Sequence, residues 1–293
     1  MQRESGIQVS GLIPTPRELF ARTIEGPDES VELARAALLV AKEEHVQLPV
    51  ERYLLRLDQL AEEVKDRLDD ETAPLVVLQE VSRILYERHG FRGNREAYYD
   101  PRNSFLNEVL DRRSGIPLTL GIVLLEVGWR LDLPLEGVNF PGHFLVRFRG
   151  TGVRLLIDPF DRGRIRFEDE AQELLDRVYG GAARLRPGFL RSAGRREMLV
   201  RLLTNLKGIY MKLQDDSRAL DAVERLLLLR PDAMGETRDR GALLARMGRH
   251  EEAIEELETY LERAPDAGDA PRVRDLVVRL ERGEDVGPEG EDE

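Results

Sequence analysis

HFLVRFRGTGVRLLID, residues 143–158, alternates apolar and polar side chains on either side of a glycine-rich centre. A period of two marks a pair of strands whose two faces differ. With Gly150 and Thr151 as a two-residue turn, glycine occupies the first position, as a type II′ hairpin requires. Phe148 then pairs with Val153, and one face collects Phe144, Val146, Phe148, Val153, Leu155 and Ile157. The other carries His143, Leu145, Arg147, Arg154, Leu156 and Asp158. In this register His143 lies directly opposite Asp158, with Cβ atoms about 4.5–5.5 Å apart. A slip of one residue would break up the apolar face, so burial fixes the parity of the pairing.

Upstream the period is helical. Gly115-Ile116-Pro117 opens a helix to about Leu131 whose apolar residues face nearly every direction, so it reads as a buried central helix. Glu126 within it needs a partner, and Arg130, four residues on, offers a structural ion pair. Phe91 to Asn103 is a turn-rich loop containing Gly93, Asn94, Asp100 and Pro101. Asn103 or Ser104 can cap a short helix through Leu106, Val109 and Leu110. Before it, four helices are expected. Thr15-Pro16-Arg17-Glu18 is a capping box, and Asp28 can cap a second helix with a stripe of Val31, Leu33, Ala34, Ala37, Leu38 and Ala41. Pro49 and Pro74 open the third and fourth, the latter ended by Gly90.

Downstream the chain repeats. A shift of 34 residues, the tetratricopeptide period, superposes Ala219 on Ala253, Val223 on Leu257 and Leu227 on Leu261. Pro231-Asp232-Ala233 falls on Pro265-Asp266-Ala267. Small alanines allow the two helices of each hairpin to cross closely, and proline follows the second helix. The expected class is α+β and mostly helical: a core with a small antiparallel sheet, followed by tetratricopeptide helical hairpins. The expected units are a helical layer over 1–90, a core over 91–192 that packs with it, and a repeat module with a capping helix over 193–282. A disordered acidic tail is expected over 283–293.

Composition narrows the chemistry. The 293 residues contain no cysteine, which excludes disulfides, thiolate metal sites and thiol catalysis. The 41% apolar content is enough to build cores. No apolar run approaches the ~18 residues of a membrane span, and MQRESGIQVS has no signal-peptide core, so a cytoplasmic location is expected. The net charge is −12, and the last thirteen residues hold seven acidic groups against one basic. An acidic chain without a basic stripe argues against nucleic acid as a partner. His45, His89, His143 and His250 are scattered without ligand spacing, so neither a metal nor a cofactor is expected.

YYDPRNSFLNEVLDRRSGIPLTL (98–120), GVNFPGHFLVRF (137–148), IDPFDRG (157–163) and LARAALLVAKEE (33–44) together resemble the SirB-type transglutaminase-like proteins with C-terminal tetratricopeptide repeats. The resemblance spans roughly residues 16 to 265. It implies a buried helix whose start carries a cysteine, with a histidine and an aspartate on neighbouring strands. His143 and Asp158 match the latter two, while Pro117 stands about where the cysteine belongs. Thr119 is the nearest hydroxyl, with Ser114 before the helix. His143, Asp158 and Thr119 are therefore the catalytic candidates. A structural cross-strand bond between His143 and Asp158 is the favoured reading, and a hydroxyl-based triad the alternative. Asn103, Asn107, Arg112, Arg113 and Asn139 are candidates to line the same cleft.

The functional expectation is a protein-binding adaptor with a degenerate, cysteine-less transglutaminase-like domain. The alternative is a hydrolase or acyl-transferase using His143, Asp158 and a Thr or Ser hydroxyl. The partner is expected to be a protein or peptide bound by the repeat module, with no membrane involved. Its first helices, about 196–213 and 235–247, carry Arg201, Asn205, Lys207, Lys212, Arg238, Arg240 and Arg246, which would form a basic groove. Arg201 and Arg238 are the binding candidates there.

Overall fold

In the computed structural model, which describes residues 14–69, 72–150 and 152–284, the chain opens on the expected capping box. Glu18 N–H donates to Thr15 Oγ1 at 3.2 Å, and Thr15 N–H donates back to Glu18 Oε2 at 2.7 Å. This starts α1 (Pro16–Thr23), followed by α2 (Leu33–Glu44), α3 (Val50–Lys65) and α4 (Pro74–Ser82). Pro49 and Pro74 sit at the starts of α3 and α4 as expected. The last continues as a π-helical turn, Arg83–Arg88, before Gly90 turns the chain in the left-handed region at φ +72°.

The middle of the chain holds β1 (Arg92–Gly93), α5 (Leu106–Arg112), β2 (Ser114–Gly115), α6 (Pro117–Trp129), β3 (Leu135–Val138), β4 (Leu145–Gly150), β5 (Val153–Asp158), β6 (Arg164–Phe167), α7 (Ala171–Tyr179) and β7 (Ser192–Ala193). Strands β1 and β2 form a short parallel pair, which joins the start of the expected loop region to the residues between α5 and α6. The others form one antiparallel sheet in the order β6-β5-β4-β3-β7. Every residue of α6 from Pro117 to Gly128 is buried. It packs on the sheet where Gly121 meets the Phe144 ring, so closely that a Cβ there would lie 2.5 Å from Phe144 Cδ1. Glu126 takes the partner its spacing offers, Arg130 Nη1 at 2.5 Å, and also accepts from Ala34 N–H at 2.9 Å. One core thus joins the N-terminal helices, α6 and the sheet. The opposite sheet face is apolar as well: Leu145 and Leu156 pack with Val138, Phe140, Leu174 and Leu175 under α7.

The hairpin differs from its expected register by two residues. Val146 pairs with Ile157, Phe148 with Leu155 and Gly150 with Val153, so Gly150 belongs to the strand and Gly152 takes the positive φ of +79°. Gly150 is needed for another reason: a Cβ there would strike the Phe148 ring at 2.1 Å. A shift of two preserves the parity, and Phe144, Val146, Phe148, Leu155 and Ile157 still share the inner core.

The repeats form α8 (Arg195–Lys212), α9 (Asp216–Leu229), α10 (Met234–Arg246) and α11 (His250–Arg263), with α12 (Ala270–Glu281) behind them. Both ends of α9 superpose on those of α11 under the 34-residue shift, and Ala219 and Ala253 are fully buried. Asp28 does not cap the second helix. It lies in a short 3₁₀ turn, and its carboxylate accepts from Arg195 N–H and Arg196 N–H, each at 2.8 Å, capping α8 instead. Neither Asn103 nor Ser104 caps α5, whose cap position is Phe105, because the Asn103 side chain is engaged in the preceding loop. Most of the expected acidic tail, residues 285–293, lies outside the described residues, as does Thr151.

Two stability outcomes follow. Asp28→Ala should cost about 1–2 kcal/mol, since it leaves two first-turn amides of α8 without an acceptor; an unchanged thermal melt would show that the cap carries no energy. Gly121→Ala should destabilise by about 1–3 kcal/mol through overpacking against Phe144. Gly208→Ala, in mid-α8 with open space around it, should stabilise by about 0.5–1 kcal/mol. Equal effects at the two glycines would remove the packing argument.

Candidate functional site

His143 follows a tight turn before β4. Gly142 has φ +64°, and a Cβ there would lie 2.5 Å from Val178 Cγ1, so the turn needs glycine both for conformation and for space. His143 N–H closes the turn on Phe140 O at 3.0 Å. Asp158 ends β5. In the observed register Asp158 falls opposite Leu145, so His143 reaches it diagonally along the same face. The contact is nonetheless made: His143 Nε2 and Asp158 Oδ1 are 2.8 Å apart, with both residues buried. Asp158 Oδ1 also accepts from the Phe160 and Asp161 amides, each at 3.2 Å, and Arg166 Nε lies 4.0 Å from Oδ2. Burial raises the Asp158 carboxyl, but the His143 bond and charge, the amide and Arg166 together bring it below its ordinary value.

With Nε2 committed to the carboxylate, Nδ1 is the imidazole nitrogen left for chemistry. Among the described residues it receives no hydroxyl. Thr119 is fully buried, and its Oγ1 donates to Asn103 O at 2.7 Å while accepting from Ile116 N–H at 3.2 Å. The hydroxyl therefore serves the start of α6 and the loop before it. Ser114 lies on β2 and makes no hydrogen bond to His143. The helix start expected to hold a nucleophile instead presents Pro117, which has none.

The lining candidates divide. Asn103 is buried and staples its own loop, with Nδ2 donating to Ala97 O at 2.6 Å and Oδ1 accepting from Asn94 Nδ2 at 3.0 Å. Asn107 is buried with its Oδ1 unpartnered, and Arg112 has a buried, unpartnered Nη1. Arg113 caps α5 in the left-handed region at φ 55° and is exposed. Asn139 and Arg201 do meet: Arg201 Nη1 lies 3.3 Å from Asn139 Oδ1 and 3.3 Å from Phe140 O, with its guanidinium 6.0 Å from the Phe144 ring. Burial pushes this guanidinium below its ordinary range, against the pull of the nearby Tyr98 and Tyr179 phenols.

The expected basic groove is neutralised. Lys207 pairs with Glu236 at 2.7 Å and Asp239 at 2.9 Å, Arg238 with Asp239 at 2.6 Å and with Asp269, Arg240 with Glu256 at 3.1 Å, and Arg246 with Asp216 at 2.5 Å. Arg238 thus ties α10 to the start of α12, whereas Arg201 has no carboxylate partner among the described residues. The carboxylates come from adjoining turns and neighbouring helices, which a reading of one helix face at a time leaves out.

Four aromatic residues escaped the sequence reading. Phe160 stands edge-on to His143 with ring centroids 6.0 Å apart, and Tyr98 stands edge-on to Phe160, also at 6.0 Å. Tyr99 is 66% exposed and carries Lys212 of α8 over its ring at 4.7 Å. Tyr179 is half exposed beside Gly142. Both tyrosines of the YYDP segment sit among turn residues, and an aromatic pair in a turn-rich loop was a signal available in the sequence. Among the described residues, no group of three or more His, Asp or Glu side chains is placed to hold a metal ion, and no helix is long and apolar enough to cross a membrane.

Comparison with known proteins agrees with this architecture. A family model for the transglutaminase-like superfamily matches residues 51–204, and one for the tetratricopeptide repeat matches 206–277. A UPF0162 protein of Xylella fastidiosa (strain Temecula1) is 35% identical over 256 residues, 86% of this chain and 91% of that protein. One of Vibrio cholerae is 31% identical over 259 residues, 88% of this chain and 96% of that protein. F-box only protein 21 of Mus musculus is 41% identical over 85 residues, 29% of this chain and 14% of that much longer protein. No solved structure matches the chain. The chain belongs to the UPF0162 family, and it joins a transglutaminase-like domain to tetratricopeptide repeats.

Proposed function

We propose that this chain is a protein-binding adaptor whose transglutaminase-like domain has become a scaffold. The observation that carries this reading is the pairing at the site. His143 and Asp158 hold each other in the buried geometry of a catalytic dyad, while the hydroxyl nearest in sequence to the missing cysteine, that of Thr119, is spent on the Asn103 carbonyl. A buried carboxylate requires a partner for stability alone, so the pair serves the fold without a nucleophile. The resemblance of residues 98–120 and 137–148 to SirB-type proteins supports the same reading, and so does the presence of tetratricopeptide hairpins, a scaffold for protein recognition. The reading includes a cytoplasmic site of action.

The surface best suited to a protein partner lies where the repeat module meets the first domain. On α8, Arg201, Asn205, Gly208 and Lys212 follow helical spacing along one face. Tyr98 and Tyr179 stand near Arg201, and Tyr99 under Lys212. Met211 and Leu213 are exposed nearby. Tyrosine and arginine dominate the energetics of protein interfaces because each combines a large contact area with directed polar groups. Arg201, partly desolvated and without a carboxylate partner among the described residues, suits a carboxylate of the partner.

Two outcomes test this. Captured from a native lysate by the full chain, specific partners should be weakened roughly tenfold or more by Tyr99→Ser with Arg201→Gln. His143→Ala should leave capture unchanged, as should Arg263→Ser on the outer helix α11. Retained capture by the first variant, or turnover of ester or amide substrates above the His143→Ala control, would end the proposal. The structural role of Asp158 has its own signature in pH. Its folded pKa lies below the unfolded value, so its stabilisation is complete above about pH 4 and fades as pH falls through the folded value. The gap in melting temperature between the parent chain and Asp158→Asn should therefore be widest near neutrality and narrow in acid. A gap independent of pH would assign the loss to packing rather than charge.

A further inference from the structure

We propose that a cleft on the far side of Phe160 from His143 binds the phosphate group of a small molecule. The cleft has a volume of about 500 Å³ and is lined by Arg92, Arg95, Arg112, Arg162, Ser114 and Phe160. That volume suits a small polar ligand. Two carboxylates, Glu96 and Asp161, also reach it, so its charged lining is net positive.

The charges do not cancel locally. Asp161 is shared among three arginines: Arg95 at 3.2 Å, Arg166 at 3.5 Å and Arg164 at 3.8 Å. Among the described residues, neither Arg92 nor Arg162 has a carboxylate within ion-pair distance. The nearest to Arg112 is Asp100 at 3.9 Å, and its Nη1 is buried without an acceptor. Three arginines of one cleft therefore keep guanidinium donors with no carboxylate closer than 3.9 Å among the described residues. Elsewhere in the chain, half-buried cations such as Lys207 and Arg246 have taken carboxylates, as Arg112 has not done at close range.

The floor beneath them is fixed. Arg92 N–H donates to Arg113 O at 3.0 Å, Gly93 N–H to Phe160 O at 3.2 Å and Asn94 N–H to Gly115 O at 3.0 Å. A Cβ on Gly93 would lie 2.4 Å from Phe160 Cδ2, so only glycine lets β1 lie flat against the ring. Arg162 is held in the left-handed region at φ 53°, on the turn that carries Phe160 and Asp161. Mounted on a bonded frame, these arginines bind an anion without the cost of ordering the backbone beneath them, and only their side chains remain to be ordered.

A phosphate monoester fits this set better than a carboxylate. It carries ≈ −1.5 to −2 charge near neutrality and three acceptor oxygens, enough to engage several planar guanidinium forks at once. A carboxylate offers one charge and two oxygens. The Phe160 ring, with Arg95 5.4 Å from its centroid, adds a surface for the organic part of an ester.

The test is calorimetric titration of the full chain with inorganic phosphate, phenyl phosphate and benzoate at constant ionic strength. Phosphate and phenyl phosphate should bind saturably, and Arg92→Gln with Arg162→Gln should weaken both by about tenfold or more. Both arginines are exposed, so circular dichroism and thermal melting should be unchanged in that variant. Arg263→Ser, on α11 and outside the lining of the cleft, should bind as the parent does. Tighter binding of phenyl phosphate would identify an organic ester as the ligand, and tighter binding of inorganic phosphate the free ion; either supports the site. No saturable binding of either would overturn the proposal. So would equal binding by the double variant, or benzoate binding as tightly as phenyl phosphate.

Discussion

A helix that is apolar all round is stable only where every side is covered, and α6 imposes that condition on the rest of the chain. From Pro117 to Gly128 it exposes almost nothing to water. The sheet covers one side through Phe144 on Gly121 and Leu135 on Gly128. The N-terminal helices cover another, with the backbone of α2 bound directly to Glu126 through Ala34. This enclosure stabilises the core by roughly 1.5–3 kcal/mol for each large aliphatic side chain that it buries. It also explains why the helical residues before α6 cannot be an optional appendage. Without them the Glu126 carboxylate would lose an amide donor, and a buried face of the helix would meet water.

The repeat module answers to a related constraint. Two hairpins have too few neighbours to bury their own faces, so their first helix must rest on something else. Apolar side chains of α8, Met198 and Leu202 among them, join the core of the first domain, and long-range polar contacts fix its position as well. Asp28 caps its first turn, and Arg195 Nη1 reaches Glu29 O and Val31 O, each at 2.8 Å. Arg17 links Glu43 of α2 to Asp221 of α9, Arg225 joins Glu43 from α9, and Tyr210 is bonded to Glu44. Burial drives the Arg225 guanidinium well down, to about 9, and repulsion from the nearby Arg17 charge acts in the same direction. The first domain is thus the missing neighbour of the repeats. Any partner held on α8 would therefore also meet the loop of Tyr98 and Tyr99.

What the sequence made legible was whatever depends on short-range pattern. The hairpin faces, the buried α6 with its Glu126–Arg130 pair, the capping box at Thr15 and the 34-residue repeat each follow from spacing within a few turns or one period. What escaped depends on groups far apart in the chain. Asp28 carries the right residue type for a cap, but the amides it serves are those of Arg195 and Arg196. Lys207, Arg238 and Arg246 read as a basic face because their carboxylates lie on adjoining turns and neighbouring helices. The hairpin register slipped by two because two glycines compete for the turn, and the decision falls to the Phe148 ring lying over Gly150.

That slip leaves the contact between His143 and Asp158 intact. Moving the register by two keeps His143 and Asp158 on one face, and the diagonal distance is still within reach of an imidazole. The Asp158 carboxylate collects donors from His143 and two backbone amides in a buried setting, and Arg166 lies nearby. Removing His143 would leave that carboxylate short of a donor where water cannot easily replace it, a loss felt in stability before any effect on chemistry. Thr119 has no corresponding tie to the dyad, because its hydroxyl is satisfied within the start of α6. Thr119 is thus held by the start of α6, and His143 with Asp158 by the sheet and the turn after it, so the residues that the resemblance gathers into one site answer to two separate structural demands.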